Sequence, residues 1–375
     1  MRPDDTDALL RLVLCAGPLA PRRALLEGRT PAQALAGGPP LWRAAGLDPI
    51  QQQALQAPDR AALARARAWL EAAPGRHLLG WHDPDYPALL RRGPSPPLAL
   101  FVAGDPARLW HPAVAVVGSR AASAGGRENA ARFAAAFVRQ GLAVGSGLAA
   151  GIDTAAHLGA LEAGGLTVAV LGTGVDVPYP RSNRGLYARI AETGAVVSEH
   201  PPGTPARRAQ FPSRNRILAG LSLGTLVVEA ALRSGALITA RQAAEAGREV
   251  FALPGSIHHP LARGCHVLLR EGAALVEDPE EVAAVLAPLA ASLAEALRAR
   301  LAAAPPAPPG PAAPAPPDTP LHQRLWKHLG PDPICMDQLV ARTGLTPAEL
   351  SSMLLLMELE GRVVVEHGRY TRKAS

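Results

Sequence analysis

The chain has 375 residues, 48% of them hydrophobic and 19% charged, with a formal net charge of +6. That length suits two or three domains with a sizeable core, and the small charge excess favours an anionic partner only weakly. Cys15, Cys265 and Cys335 lie too far apart for a CxxC or a zinc set, and their odd number argues against a disulfide framework. The polar start Met1-Arg2-Pro3-Asp4-Asp5 has no signal-peptide core. No uninterrupted apolar run reaches the roughly 18 residues of a spanning helix, so the expectation is a cytoplasmic protein with no membrane segment. No metal site and no cofactor is expected either.

Residues 1–75 alternate apolar helical patterns with breaks at Gly17-Pro18 and Gly46-Leu47-Asp48-Pro49. This reads as a small helical domain: either a helix-hairpin-helix unit meeting DNA backbone through its turns, or a packing or interaction module. From about 76 to 290 the pattern changes. Short β-rich runs recur at Leu98–Val102, Ala113–Val117, Leu142–Val144, Thr167–Leu171, Ala195–Ser198, Thr225–Val228, Glu249–Leu253 and Ala274–Val276. Helical stretches near 124–140, 153–164, 183–193, 235–247 and 278–286 fill the gaps. This α/β alternation predicts a doubly wound, mostly parallel sheet covered on both faces, with ligands at the carboxyl ends of its strands.

A helix end and a Pro/Ala-rich linker follow over 291–320; residues 302–320 read AAAPPAPPGPAAPAPPDTP, a semi-rigid polyproline-like spacer. The tail, 321–375, orders Leu321–Leu329, Met336–Thr343 and Pro347–Glu360 as helices, then a hairpin, Arg362–Glu366 and Arg369–Arg372 about His367-Gly368. That is the order of a winged helix. Its third helix is rich in Leu and Glu, so major-groove reading is not evident.

The densest positive charge is Arg207, Arg208, Arg214 and Arg216, with Phe211 and no acid among them. The stretch reads as an interruption of the strand–helix alternation. Lysine occurs only at Lys327 and Lys373, which excludes a P-loop and its GxxxxGK[ST] pattern. The glycines of Gly145-Ser146-Gly147 follow the second strand of the alternation, and no acid sits where a ribose-binding one belongs, which argues against an NAD enzyme. Val116-Val117-Gly118-Ser119-Arg120, then Ser123, Gly125 and Gly126, offer a strand-to-helix turn with amides and a charge ready for an anion. Asp153 is placed to cap the next helix. His157, His200, His258 and His259 have no nucleophile beside them and read as structural or solvated. Glu199 and Glu229 each end a strand; they read as anchors for nearby arginines or as catalytic carboxylates. Gly/Ser turns recur at Ser234-Gly235 and Pro254-Gly255-Ser256. The sum is an electropositive shelf suited to a chain of phosphates.

Taken together, Gly118-Ser119-Arg120, Ser146-Gly147-Leu148-Ala149-x-Gly151-Ile152-Asp153, Phe211-Pro212-x-Arg214-Asn215-Arg216-Ile217, Ser234-Gly235-x-Leu237-Ile238-Thr239-Ala240 and Pro254-Gly255-Ser256 resemble the DNA-processing protein A (DprA/Smf) family. Asp85-Tyr86-Pro87 and Leu89-Leu90 resemble its lead-in to the sheet. The resemblance covers roughly 80–290. It implies an extended Rossmann-like domain that binds single-stranded DNA without sequence preference, protects incoming DNA in natural transformation, loads the RecA recombinase, forms a homodimer and turns nothing over. It further implies a helical N-terminal domain of sterile-alpha-motif type and, in some members, a C-terminal winged helix. Carried over, Arg120 is a phosphate-binding arginine, Phe211 an aromatic at the DNA and Arg208 a flanking basic residue. Gly118, Ser119, Ser146 and Gly147 supply amides and close backbone approach, and Arg214, Asn215 and Arg216 touch phosphate or brace the loop. Dimer contacts would fall around Leu268, Leu269, Leu275 and Val276. The competing class is a nucleotide-processing enzyme of the lysine-decarboxylase-like phosphoribohydrolase type. Against it, Gly220-Leu221-Ser222-Leu223-Gly224-Thr225 lacks the Pro-Gly-Gly of its PGGxGTxxE run, and Glu229 sits one residue too far along.

Overall fold

The structure is a computed structural model that describes residues 3–303, 320–329, 334–359, 363–366 and 369–372. Residues Met1–Leu301 make one compact unit and Ala302–Ser375 a second. Most of the expected polyproline-like spacer, and the expected His367-Gly368 turn, lie outside the described residues.

Six short helices open the first unit: α1 (Pro3–Leu14), α2 (Leu19–Leu26), α3 (Pro31–Ala36), α4 (Gly38–Ala44), α5 (Pro49–Gln56) and α6 (Arg60–Glu71). Thr30 with Gln33, and Asp48 with Gln51, form reciprocal capping boxes that start α3 and α5. The strands follow: β1 (Arg76–Gly80), β2 (Ala99–Gly104), β3 (Ala113–Val117), β4 (Ala143–Ser146), β5 (Thr167–Val170), β6 (Ala195–Ser198), β7 (Gly224–Val227), β8 (Glu249–Ala252) and β9 (Ala274–Leu275). They form one nine-stranded sheet in the order β1-β2-β6-β5-β4-β3-β7-β8-β9. β1 and β2 pair antiparallel, as do β2 and β6, and the remaining pairs are parallel. This is the doubly wound, Rossmann-like sheet expected from the alternation. β1 is additional: Arg76-His77-Leu78-Leu79-Gly80 has no β-branched residue and no clean alternation to mark it.

The short α7 (Ala88–Arg91) leads from β1 to β2, and its neighbour Tyr86 is wholly buried with its hydroxyl on the Pro97 carbonyl at 2.9 Å. The crossovers are α8 (Ala124–Arg139), α9 (Ile152–Glu162), α10 (Arg184–Thr193), α11 (Gln210–Leu221), α12 (Gly235–Glu245) and α13 (Arg263–Arg270), and α14 (Pro279–Ala303) follows β9. The strands bury both faces, and period-2 alternation sorts their side chains. On β3, Val114 and Val116 join Phe133 and Phe137 of α8 and Val282 and Leu286 of α14, while Ala115 and Val117 join Ile217 and Leu218 of α11. On β2, Phe101 meets the N-terminal helices, edge-on to Trp69 of α6 at 6.1 Å.

The Arg207–Arg216 stretch does not interrupt the alternation. It leads into and opens α11, the crossover from β6 to β7, which begins at Gln210. Pro212 hid this helix in the sequence, yet it occupies the first turn, where a missing N–H costs nothing. α14 also differs from expectation. It runs far past residue 286, and Pro279–Ala299 has a mean hydropathy of 1.5, long and apolar enough by composition to cross a membrane. Its Val282, Leu286 and Leu293 belong to the sheet's core.

The second unit comprises α15 (Pro320–His328), β10 (Ile334–Cys335), α16 (Met336–Thr343), α17 (Pro347–Leu359), β11 (Val363–Glu366) and β12 (Arg369–Arg372). Its strands pair antiparallel in the order β10-β12-β11 around a core of Leu325, Ile334, Leu339, Leu350, Leu354 and Val363. Gly344 ends α16 at φ +67°, and the whole is a winged helix.

One buried histidine ties the layers of the first unit. His157 of α9 donates from Nδ1 to Thr167 Oγ1 at 2.7 Å, and that hydroxyl donates to the Val144 carbonyl at 2.7 Å. Burial, helped by the charge of Arg214, pushes the His157 imidazole down to about 3. Its folded pKa lies below the ordinary 6.5, so the unfolded chain binds a proton that the folded one refuses. Stability from this group is full above pH 6.5 and is lost as pH falls toward 3. Urea unfolding should show the protein weakened by about 2 kcal/mol between pH 7 and pH 5, and His157→Gln should remove that share of the pH dependence.

Candidate nucleic-acid interface

The crossovers run outward from β3 to β6, and α11 then carries the chain back to β7 on the other side of β3. β3 and β7 are therefore the switch point, where adjacent strands send their following segments apart and leave a crevice. A cleft of about 670 Å³ lies there. Its walls are Gly118, Ser119 and Arg120 beyond β3, Arg208 just before α11 and Phe211 in its first turn, and Arg233, Ser234 and Gly235 beyond β7. Two loops close its base. Gly151 has φ +78°, and a Cβ there would stand 2.2 Å from the Ser119 carbonyl oxygen, so only glycine fits where the β3 and β4 loops meet.

The arginines of α11 divide by helical geometry. Residues two apart point about 200° from each other. Arg214 turns toward the strand ends and is 5% exposed. It donates to the Gly147 carbonyl at 2.7 Å, to the Val170 carbonyl and to Asn215 Oδ1 at 2.8 Å, with Asp153 at 3.9 Å. Asn215 in turn donates to the Gly235 carbonyl at 3.3 Å, locking α11 to α12. Arg216 points the other way, to the Ser95 carbonyl at 2.6 Å and to the Glu199 carboxylate. Both arginines are braces, and Arg216 does not line the cleft. Phe211 precedes Arg214 by three residues and shares its face, so anchoring Arg214 also aims Phe211.

The carboxylates settle differently from expectation. Glu199 does anchor an arginine. Glu229 does not: it accepts from the Ser123 amide at 3.0 Å and from the Ser123 hydroxyl, with His259 Nε2 at 3.3 Å. It sits against the first turn of α8, where a Cβ on Gly126 would come within 2.3 Å of its carboxyl carbon. The anion-ready terminus expected at Ser123, Gly125 and Gly126 is thus already filled by an internal carboxylate. Asp153 likewise lies inside the helix it was expected to cap, and accepts from the Gly147 and Ala149 amides at 3.1 and 3.3 Å. Burial pushes its carboxyl up, opposed by Arg214 and those amides. Ser146 is wholly buried with its hydroxyl on the Val116 carbonyl at 2.7 Å. Ser146 and Gly147 therefore lie under the cleft with their polar groups engaged inside the protein, not at its surface.

Three arginines remain for a ligand. Arg120, Arg208 and Arg233 are exposed, and none has a carboxylate within ion-pair distance among the described residues. The Arg120 guanidinium lies 5.5 Å from the Phe211 ring centre, and the Tyr179 ring meets the same Phe211 ring at 5.2 Å, tilted by 41°. Ser234 caps α12, whose first turn opens into the cleft. Sequence reading missed Arg233 and Tyr179. Arg233 had a signal, since it directly precedes the Ser234-Gly235 turn. Tyr179 lies in the strand-end turn Gly172–Pro180 after β5, which carried none of the Gly/Ser motifs weighed.

The fold and crevice place the protein among Rossmann-like domains with a basic switch-point cleft. The family model described as DNA recombination-mediator protein A matches residues 77–287, and that of the DprA winged helix domain matches 305–369. The chain belongs to this DprA/Smf family of DNA-processing proteins. It is 40% identical over 329 residues to Protein Smf of Escherichia coli, covering 87% of this chain and 85% of that one. To DNA processing protein DprA of Streptococcus pneumoniae it is 48% identical over 202 residues, 54% of this chain and 71% of that one. The solved structure of that pneumococcal protein superposes with a TM-score of 0.66 at 37% identity, covering 73% of this chain and 95% of that chain. A structure described as giving the single-stranded DNA binding mode of Helicobacter pylori DNA processing protein A superposes with a TM-score of 0.50 at 26% identity, covering 54% of this chain and 93% of that chain.

Removing Arg214 strands a buried carboxylate and two carbonyls. Arg214→Ala should cost about 3–5 kcal/mol in urea unfolding at pH 7. Asp153 would then sit still further above its unfolded value, so its charge is costly at high pH and absent once protonated. The deficit of the variant should shrink as pH falls.

Proposed function

We propose that the protein binds single-stranded DNA without sequence preference in the switch-point cleft. Arg120, Arg208, Arg233 and the open end of α12 hold phosphates, and Phe211 with Tyr179 gives bases a surface to stack on. The observation that carries this reading is the Arg120–Phe211–Tyr179 cluster at the cleft, where charge and aromatic faces stand together and, among the described residues, no carboxylate lies within ion-pair distance of Arg120. The Helicobacter pylori relative's single-stranded DNA binding mode supports it.

In the cell, the protein protects incoming DNA during natural transformation and loads RecA onto it, as a cytoplasmic homodimer. Among the residues proposed for the dimer, Leu275 is 54% exposed and Leu269 half-buried, which leaves them for a partner, whereas Leu268 and Val276 are core. It acts without turnover: Glu229 lies on the α8 cap, outside the residues that line the cleft. Three domains divide the work, a helical one over 1–75, the sheet over 76–290 and a winged helix over 321–375, with a helix end and Pro/Ala-rich linker over 291–320 and the winged helix accessory to single-strand binding.

Fluorescence anisotropy with labelled oligothymidylate tests this. Arg120→Ala and Phe211→Ala should each weaken binding by about 1–3 kcal/mol, and deletion of 318–375 should leave affinity nearly intact. Unchanged affinity in both point variants, or nucleotide hydrolysis abolished by Glu229→Gln, would refute the proposal.

A further inference from the structure

The chain contains no acidic residue between Glu199 and Glu229. The first part of this acid-free stretch, after β6, leads from the sheet to Arg207 and Arg208 at the edge of the cleft. It is held flat against the turn after β5: the Gly174 amide donates to the Thr204 carbonyl at 2.9 Å, and the Gly203 amide to the Asp176 carboxylate at 2.8 Å. Two carboxylates beside the stretch are engaged, Asp176 by that amide and Glu199 by Arg216.

On its outer side this loop meets the N-terminal helices. The Arg65 side chain of α6 passes 3.7 Å from where a Cβ would stand on Gly203. Gly203 and Arg207 are four residues apart, a reach of at most about 14 Å. Arg65 and Arg207 are both exposed, and neither has a carboxylate within ion-pair distance among the described residues. Arg67, two residues on and so on the opposite side of α6, is instead paired with Asp7.

We propose that a single strand leaving the cleft runs over the 201–209 loop onto α6, where Arg65 holds a backbone phosphate. The N-terminal helical domain is then the outer part of the DNA site. The contact is to phosphodiester alone, so it adds affinity and salt dependence but no base preference. This rests on the cleft being the single-strand site.

The test uses the full chain and two labelled oligothymidylates, one of about six nucleotides that fills only the cleft and one of about twenty. Arg65→Ala should weaken the longer by about three- to tenfold and flatten its salt slope by about 0.7, leaving the shorter unchanged. Arg67→Ala should change neither. If Arg65→Ala binds the longer oligomer like the parent protein, or loses both equally, the proposal fails. The reading of the cleft is judged separately, by whether Arg120→Ala loses the shorter oligomer; if the parent protein binds neither, both ideas fall.

Discussion

A single buried guanidinium organises the binding face. Arg214 joins the Gly147 carbonyl beyond β4, the Val170 carbonyl at the end of β5, the Asp153 carboxylate of α9 and the Asn215 amide of its own helix. A planar fork with five donors can satisfy that many acceptors at once, which a lysine ammonium cannot. Because Arg214 fixes the rotation of α11 about its axis, it also fixes where Phe211 emerges. The charge costs energy to bury, and burial lowers its pKa, opposed by Asp153; its return is a preorganised edge to the cleft.

The same economy explains which charges face outward. A doubly wound sheet presents several helix N-termini on one side, each a potential anion site. Here the end of α8 is filled from within by Glu229, and the loop before α9 by Asp153. The end of α12 opens to the cleft with Arg120, Arg208 and Arg233 around it. A ligand therefore meets a short row of free arginines beside an aromatic pair, a geometry fitted to a flexible polyanion with faces to stack.

Most of the fold was legible because β3, β4 and β5 are apolar runs separated by amphipathic helices, the strongest pattern a sequence offers. α11 was not, because Pro212 in its first turn reads as a breaker when seen without its neighbours. Glycine motifs located the strand ends, and Gly118-Ser119-Arg120 with Phe211 marked the cleft. The division among the arginines was not legible. Arg208, Arg214 and Arg216 look alike in a row, yet the 100° turn per residue of α11 sends Arg214 inward and Arg216 to Glu199, while Arg208 lies in the turn before the helix and stays free. Glu229 was misread for a similar reason, since its partner Ser123 lies 106 residues away.

The central claim is that three arginines, and not the braced pair, carry the charge contacts in the cleft. The salt dependence of binding counts them. For an oligothymidylate of about six nucleotides, log Kobs against log salt should fall with a slope of about −2, three phosphates at about −0.7 each. A slope near −3.5 would bring Arg214 and Arg216 into contact with phosphate, and a slope near zero would remove the phosphate-tracking cleft altogether.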